Sequence, residues 1–93
     1  IKEYELLTGA ESQCETCHYN LGAIFLEIKK DNQKALKHFS KAIELNPSYA
    51  EAFFARGYTY ARMGEKEKAK ADYAACLKIV PNYEAAVQGL NEL

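Results

Sequence analysis

Pro47 and Pro81 stand thirty-four residues apart, and each closes the same kind of phrase. Ala35, Phe39 and Ala42 precede the first; Ala69, Tyr73 and Cys76 precede the second, again small, aromatic, small at the same offsets. Around the first proline, Ala35, Leu36, Phe39, Ala42 and Ile43 fall on one stripe of a helix. Pro47 cannot continue that helix and biases Asn46 away from helical backbone. Ser48 with Glu51 three residues on offers a reciprocal cap for the next one. A fixed period in a helical pattern marks an array of repeats, each leaving an apolar face for its neighbour, rather than one compact enzyme core.

Composition narrows the partners. Ninety-three residues with a 48% apolar share can bury only a modest core. The net charge is -1 with the signs mixed along the sequence, so no basic stripe points to nucleic acid and no polybasic cluster to a membrane surface. No apolar run approaches the length of a membrane span, and the first residues lack the layout of a signal peptide. The chain begins at Ile1 rather than methionine and reads as a segment cut from a longer array. Three cysteines at uneven spacing do not read as a disulfide framework, and a reducing compartment such as the cytoplasm is preferred.

Taken in order, the chain reads as all helix. Residues 1–7 form the later part of an amphipathic helix stopped at Thr8-Gly9, and Ser12 with Glu15 caps a second, 13–30. A polar turn at 29–32 leads to a helix over 33–45. Helices over 49–63, closed by Gly64, and 65–80 follow. Asn82 caps the last, 83–93, with Val87, Leu90 and Leu93 on one stripe. No stretch alternates apolar and polar residues over a strand length.

Antiparallel helix pairs of this length resemble the tetratricopeptide repeat, whose pattern runs from a large aromatic through Leu-Gly, a second aromatic and Ala-x-x-x-Phe to a closing proline. His18, Leu21, Gly22, Phe25, Ala35, Phe39 and Pro47 match it in one copy; Phe53, Gly57, Tyr60, Ala69, Tyr73 and Pro81 match it in the next. His18 replaces the large aromatic, Arg56 stands where leucine is usual, and the first copy has one extra residue in its inner turn. The resemblance implies helix-turn-helix hairpins stacked in a right-handed superhelix. It divides the chain into the end of a preceding repeat (1–11), two complete repeats (12–47 and 48–81) and the start of a further one or a capping helix (82–93). Phe25, Phe39, Tyr60 and Tyr73 are expected to fill the space between pairs, with Gly22 and Gly57 allowing close approach.

Cys14, Cys17 and His18 match the C-x-x-C-H string of c-type haem attachment. The string lies inside an expected helix with His18 at an interior repeat position, and the family offers no cavity for a porphyrin. Cys17 is therefore expected to pack, Cys14 to be partly exposed and His18 to fill a core site, with no cofactor. A closed zinc site needs four ligands, and the remaining candidates, Cys76 and His38, lie on other helices. His38 is read as a solvated or edge residue, and 65–68 with 70–72 as a solvated face paired at i, i+4. No nucleophile, base and charge stabiliser converge, so no catalytic residue is expected.

The resemblance instead implies a working surface. The first helix of each pair lines a concave groove in the family, and the corresponding positions are Thr16, Tyr19, Ala23, Leu26 and Glu27, then Glu51, Phe54, Tyr58, Ala61 and Arg62. Some relatives grip a peptide carboxylate with lysine and asparagine there; Tyr19, Ala23 and Ala55 occupy those places here, so a more apolar peptide or helix is the expected guest. A bland alternative has Phe54 and Tyr58 merely packing on the neighbouring helix. A protein-binding scaffold is thus the expected function, with a structural spacer or self-association through the open repeat ends as the alternative and, more remotely, a haem or redox protein through Cys14, Cys17 and His18, whose C-x-x-C stands at a helix start.

Overall fold

The computed structural model describes residues 14–93. Five helices follow one another: α1 (Glu15–Glu27), α2 (Asn32–Leu45), α3 (Ala50–Arg62), α4 (Lys66–Ile79) and α5 (Glu84–Glu92). Among the described residues there is no strand, and no helix is long and apolar enough to cross a membrane. The expected helix over 1–7, its stop at Thr8-Gly9 and the Ser12 cap lie outside the described residues.

Turn chemistry sets the boundaries, and it departs from the expected caps at several points. The Cys14 sulfur accepts the Cys17 amide at 3.1 Å, and Asp31 accepts the Lys34 amide at 3.1 Å at the start of α2. Ser48 and Glu51 form no reciprocal cap. The Ser48 amide instead donates to Asn46 Oδ1 at 3.1 Å, and Tyr49 takes the capping position without a side-chain bond. The same holds one repeat later, where Tyr83 rather than Asn82 precedes α5. In each case the turn is closed by backbone: Tyr49 donates to the Asn46 carbonyl and Tyr83 to the Val80 carbonyl, both at 3.1 Å. The two turns are thus built alike although their side chains differ.

The inner turns show where the extra residue goes. In the second hairpin, Gly64 at φ 81 lets the Glu65 amide donate to the Tyr60 carbonyl at 2.9 Å. In the first, Lys30 takes the left-handed position at φ 56, and the Asp31 amide reaches the Phe25 carbonyl at 2.8 Å, one residue further back. A positive φ is costly for a residue with a Cβ. It also ends α1 at Glu27, short of the expected 30.

α1 packs on α2 and α3 on α4 as antiparallel hairpins, α2 lies on α3, and α5 covers α4. The extents of 39, 25 and 17 Å belong to a stack rather than a closed globule. Ala35, Phe39, Ala42, Ala69, Tyr73 and Cys76 are buried in the seams. A Cβ on Gly22 would come within 2.6 Å of the Phe39 ring, and one on Gly89 within 2.7 Å of the Tyr73 ring, so both rings seat directly on helix backbone. Such contact is the packing reason for small residues at these places.

Phe25 and Tyr60, expected as core fillers, are only half-buried. They close the edges of the hairpins, with Lys34 and Lys68 ammonium groups lying over them at 5.4 and 5.6 Å. Asp72, read as part of a solvated face, is buried and takes two hydrogen bonds of 2.8 Å from Arg56, which also donates to Ser40 Oγ at 3.2 Å. The departure from leucine at Arg56 thus has a built partner, and the trio ties α2, α3 and α4 together. The 65–68 charges are exposed as expected, but the ion pairs among the described residues are Lys41–Glu44 and Arg56–Asp72, and none is an i, i+4 pair on that face.

Candidate functional site

Among the odd-numbered helices, α1 contacts α3 and α3 contacts α5 along one side of the stack. Between α1 and α3 lies an open hollow of about 290 Å³, lined by Tyr19, Ala23, Leu26, Glu27, Phe54 and Tyr58 together with Phe39 and Ala55. Between α3 and α5 lies a second of about 190 Å³, again bounded by Phe54 and Tyr58 and floored by Tyr73. Phe54 and Tyr58 therefore form a shared ridge, their rings 6.3 Å apart.

The two ridge residues differ. Phe54 is half-buried, with ring centroids 5.7 Å from Tyr73 and 5.5 Å from Tyr83. The bland alternative of packing on a neighbouring helix thus describes part of its surface. Tyr58 remains 38% exposed, and the Arg62 guanidinium lies over its ring at 5.7 Å. On the α1 side, Tyr19 meets Tyr49 at 5.3 Å and Phe39 at 5.8 Å.

Of the positions carried over, Tyr19, Ala23, Leu26, Glu27, Phe54 and Tyr58 come together around the first hollow. Leu26 is almost wholly buried and forms its floor, whereas Glu27 is exposed at its rim. Arg62 is brought in only through Tyr58, Ala61 packs against the core under α3, and Thr16 and Glu51 are exposed at the first turns of their helices. The second hollow was missed, although the period carried its signal. Thirty-four residues beyond Glu51, Phe54 and Tyr58 stand Ala85, Gln88 and Glu92, and all three line it.

Electrostatics along the strip follow burial and carboxylates. The Tyr19 phenol is pushed above its ordinary pKa by burial and then by Glu51; Tyr83 is raised by burial, Cys76, Glu51 and Tyr19 in that order. Tyr73 is raised by burial, then by Tyr58 and Glu92. Each of these phenols is neutral at neutral pH and presents a hydroxyl rather than a charge.

The histidines and cysteines depart further from expectation. Cys14 and Cys17 are joined as a disulfide, which the uneven spacing of three cysteines did not suggest; one turn of backbone brings their Cα atoms to 5.2 Å, within bonding reach. Neither sulfur is then free for a thioether. His18 is buried as expected, but His38 is not a bystander: their Nδ1 atoms lie 3.3 Å apart, and the His38 ring stacks on Phe25 at 5.4 Å. His18 Nε2 is buried without a hydrogen-bond partner. An acceptor is cheaper to leave unpaired than a donor, so His18 is best assigned as the Nδ1–H donor to His38. Among the described residues no three metal-ligating side chains gather.

Stacked helical hairpins with an open, aromatic inner strip define the chain as a helical repeat protein. Family models described as "TPR repeat" and "Tetratricopeptide repeat" match residues 28–64 and 50–83, and the chain belongs to the tetratricopeptide-repeat family. It is 42% identical over 64 residues to UDP-N-acetylglucosamine--peptide N-acetylglucosaminyltransferase of Giardia intestinalis, covering 69% of this chain and 4% of that protein. It is 26% identical to heat shock protein STI1 of Saccharomyces cerevisiae over 99% of this chain and 16% of that protein. The chain thus spans a small part of both relatives. Among solved structures, the first TPR of Spaghetti (RPAP3) bound to the HSP90 peptide SRMEEVD superposes with a TM-score of 0.91 at 26% identity, over 96% of this chain and 70% of that one.

Proposed function

We propose that this chain is a protein-binding scaffold without catalysis of its own, and that a peptide or helix of a partner lies along the strip formed by α1, α3 and α5. The observation that carries the reading is the Phe54–Tyr58 ridge between two apolar hollows, both open to solvent. Exposed aromatics flanked by small residues such as Ala23 are the kind of surface on which an inserted side chain gains most when water is excluded. The Spaghetti complex, in which a like fold holds a peptide, supports the same mode of use. In this reading 12–47 and 48–81 are the repeat units, with 1–11 and 82–93 belonging to incomplete ones.

Selection of dodecapeptides from a phage library on the immobilised chain tests it. Binding of the selected peptides is expected to fall at least tenfold in Tyr58→Ala, which removes an exposed ring, and in Ala23→Gln, which fills the first hollow, while helicity is unchanged. Peptides indifferent to both changes would place the working surface elsewhere.

A second reading, self-association through the open end, draws on Val87, 41% exposed on the outermost helix, with the half-buried Leu90 and Leu93 three and six residues further on. Sedimentation of the chain beside its Val87→Lys variant decides it: a dimer that dissociates in the variant supports the reading, and a monomer in both removes it.

A further inference from the structure

Taken together, the inner helices are net negative and the outer ones net positive, although α3 by itself is not negative and the whole chain is nearly neutral. Every lysine within a described helix lies on α2 or α4. The inner helices α1, α3 and α5 carry Glu15, Glu27, Glu51, Glu84 and Glu92, and their cations are Arg56 and Arg62. Arg56 is engaged by buried Asp72, and Arg62 lies over the exposed Tyr58 ring on the strip itself.

These carboxylates sit where a guest would lie. Glu27 is at the rim of the first hollow and Glu92 at that of the second. Glu51, exposed at the first turn of α3, lines neither hollow but stands close enough to raise the pKa of both Tyr19 and Tyr83. A guest seated along the strip therefore passes three carboxylates and one arginine, over walls of low polarity that weaken screening.

Resting on the groove reading above, we infer that the strip selects a cationic amphipathic segment: apolar side chains for the two hollows, with lysine or arginine between and beside them to meet Glu27, Glu51 and Glu92. An acidic segment of the kind held by the Spaghetti repeat, SRMEEVD, meets like charge along the same path. Like-charge contact suppresses wrong partners as effectively as opposite charge recruits right ones.

The library selection gives the test, with two further measurements on the selected peptides. Peptides that lose binding in Tyr58→Ala are expected to be rich in Leu, Ile or Phe together with Lys or Arg, and poor in Asp and Glu. Their affinity should drop several-fold between about 50 mM and 500 mM salt, as screening removes the attraction. The exposed-site variant Glu27→Lys with Glu51→Lys should weaken them at least tenfold and leave the circular-dichroism spectrum unchanged. Groove-bound peptides that are acidic, or that ignore both salt and charge reversal, would overturn the charge inference while leaving the groove reading intact. Peptides insensitive to Tyr58→Ala would overturn both.

Discussion

Arg56 and Asp72 meet through two parallel hydrogen bonds of 2.8 Å, with the carboxylate side chain only 7% exposed. The Arg56 pKa is raised, first by this hydrogen bond, against the lowering effect of burial. Removing one partner strands the other charge in the seam between α3 and α4. Arg56→Leu should therefore destabilise the chain by about 3 kcal/mol, and Asp72→Leu by a similar amount. The double change Arg56→Leu with Asp72→Leu, which restores the family's usual residue on α3, should cost far less than either single loss. Urea unfolding of the four proteins as a double-mutant cycle checks this; additive losses would mean the pair is not coupled.

Gly22 and Gly64 should respond differently to alanine for reasons that can be separated. At Gly22 the new Cβ would lie 2.6 Å from a fully buried Phe39 ring, so the helices must move apart, at about 1–3 kcal/mol, which outweighs the gain of under about 1 kcal/mol in helix propensity. At Gly64 nothing lies within 4 Å, and the cost of about 1 kcal/mol comes from its φ of 81. Thermal melts give the totals. Gly64→Asn, which tolerates that backbone, should recover most of the second loss, whereas no side chain should rescue the first.

Acid should loosen the first hairpin. The His38 pKa is lowered by burial first, then by His18 and by Lys37. Between that folded value and an unfolded value of about 6.5, the unfolded chain binds more protons than the folded one, so stability rises with pH through this window and is complete above it. Lys37 and Lys41 also border the pair, with Glu44 the nearby counter-charge. Urea midpoints measured from about pH 5 to about pH 7 should climb in the parent chain and climb less in His38→Gln. An identical slope in the variant would assign the effect to other groups.

The sequence carried the architecture plainly because it is written twice: Ala35, Phe39 and Pro47 against Ala69, Tyr73 and Pro81 fix the hairpins independently of any cap. Caps were less legible, since Ser48 and Asn46 compete for the same turn and only backbone geometry decides between them. Asp72 looked solvated because it sits among charged neighbours, and its burial depends on an arginine sixteen residues away. His38 was unreadable for the same reason: its partners, His18 and Phe25, belong to another helix. Around the candidate strip the positions came from the family resemblance rather than from the period, which, applied one repeat further, also leads to Gln88 and Glu92. The opposite charging of inner and outer helices is invisible in linear order, where the signs alternate, and emerges only once alternate helices share a face.

Amide NMR titration of the labelled chain with a library-selected peptide reports every backbone position at once and so reads out which face of the stack a guest covers. The largest shifts are expected at Tyr19, Ala23, Glu27, Phe54, Tyr58 and Gln88, along α1, α3 and α5, with Lys37, Lys41 and Lys70 little changed. Shifts concentrated on α2 and α4 instead would contradict the groove reading.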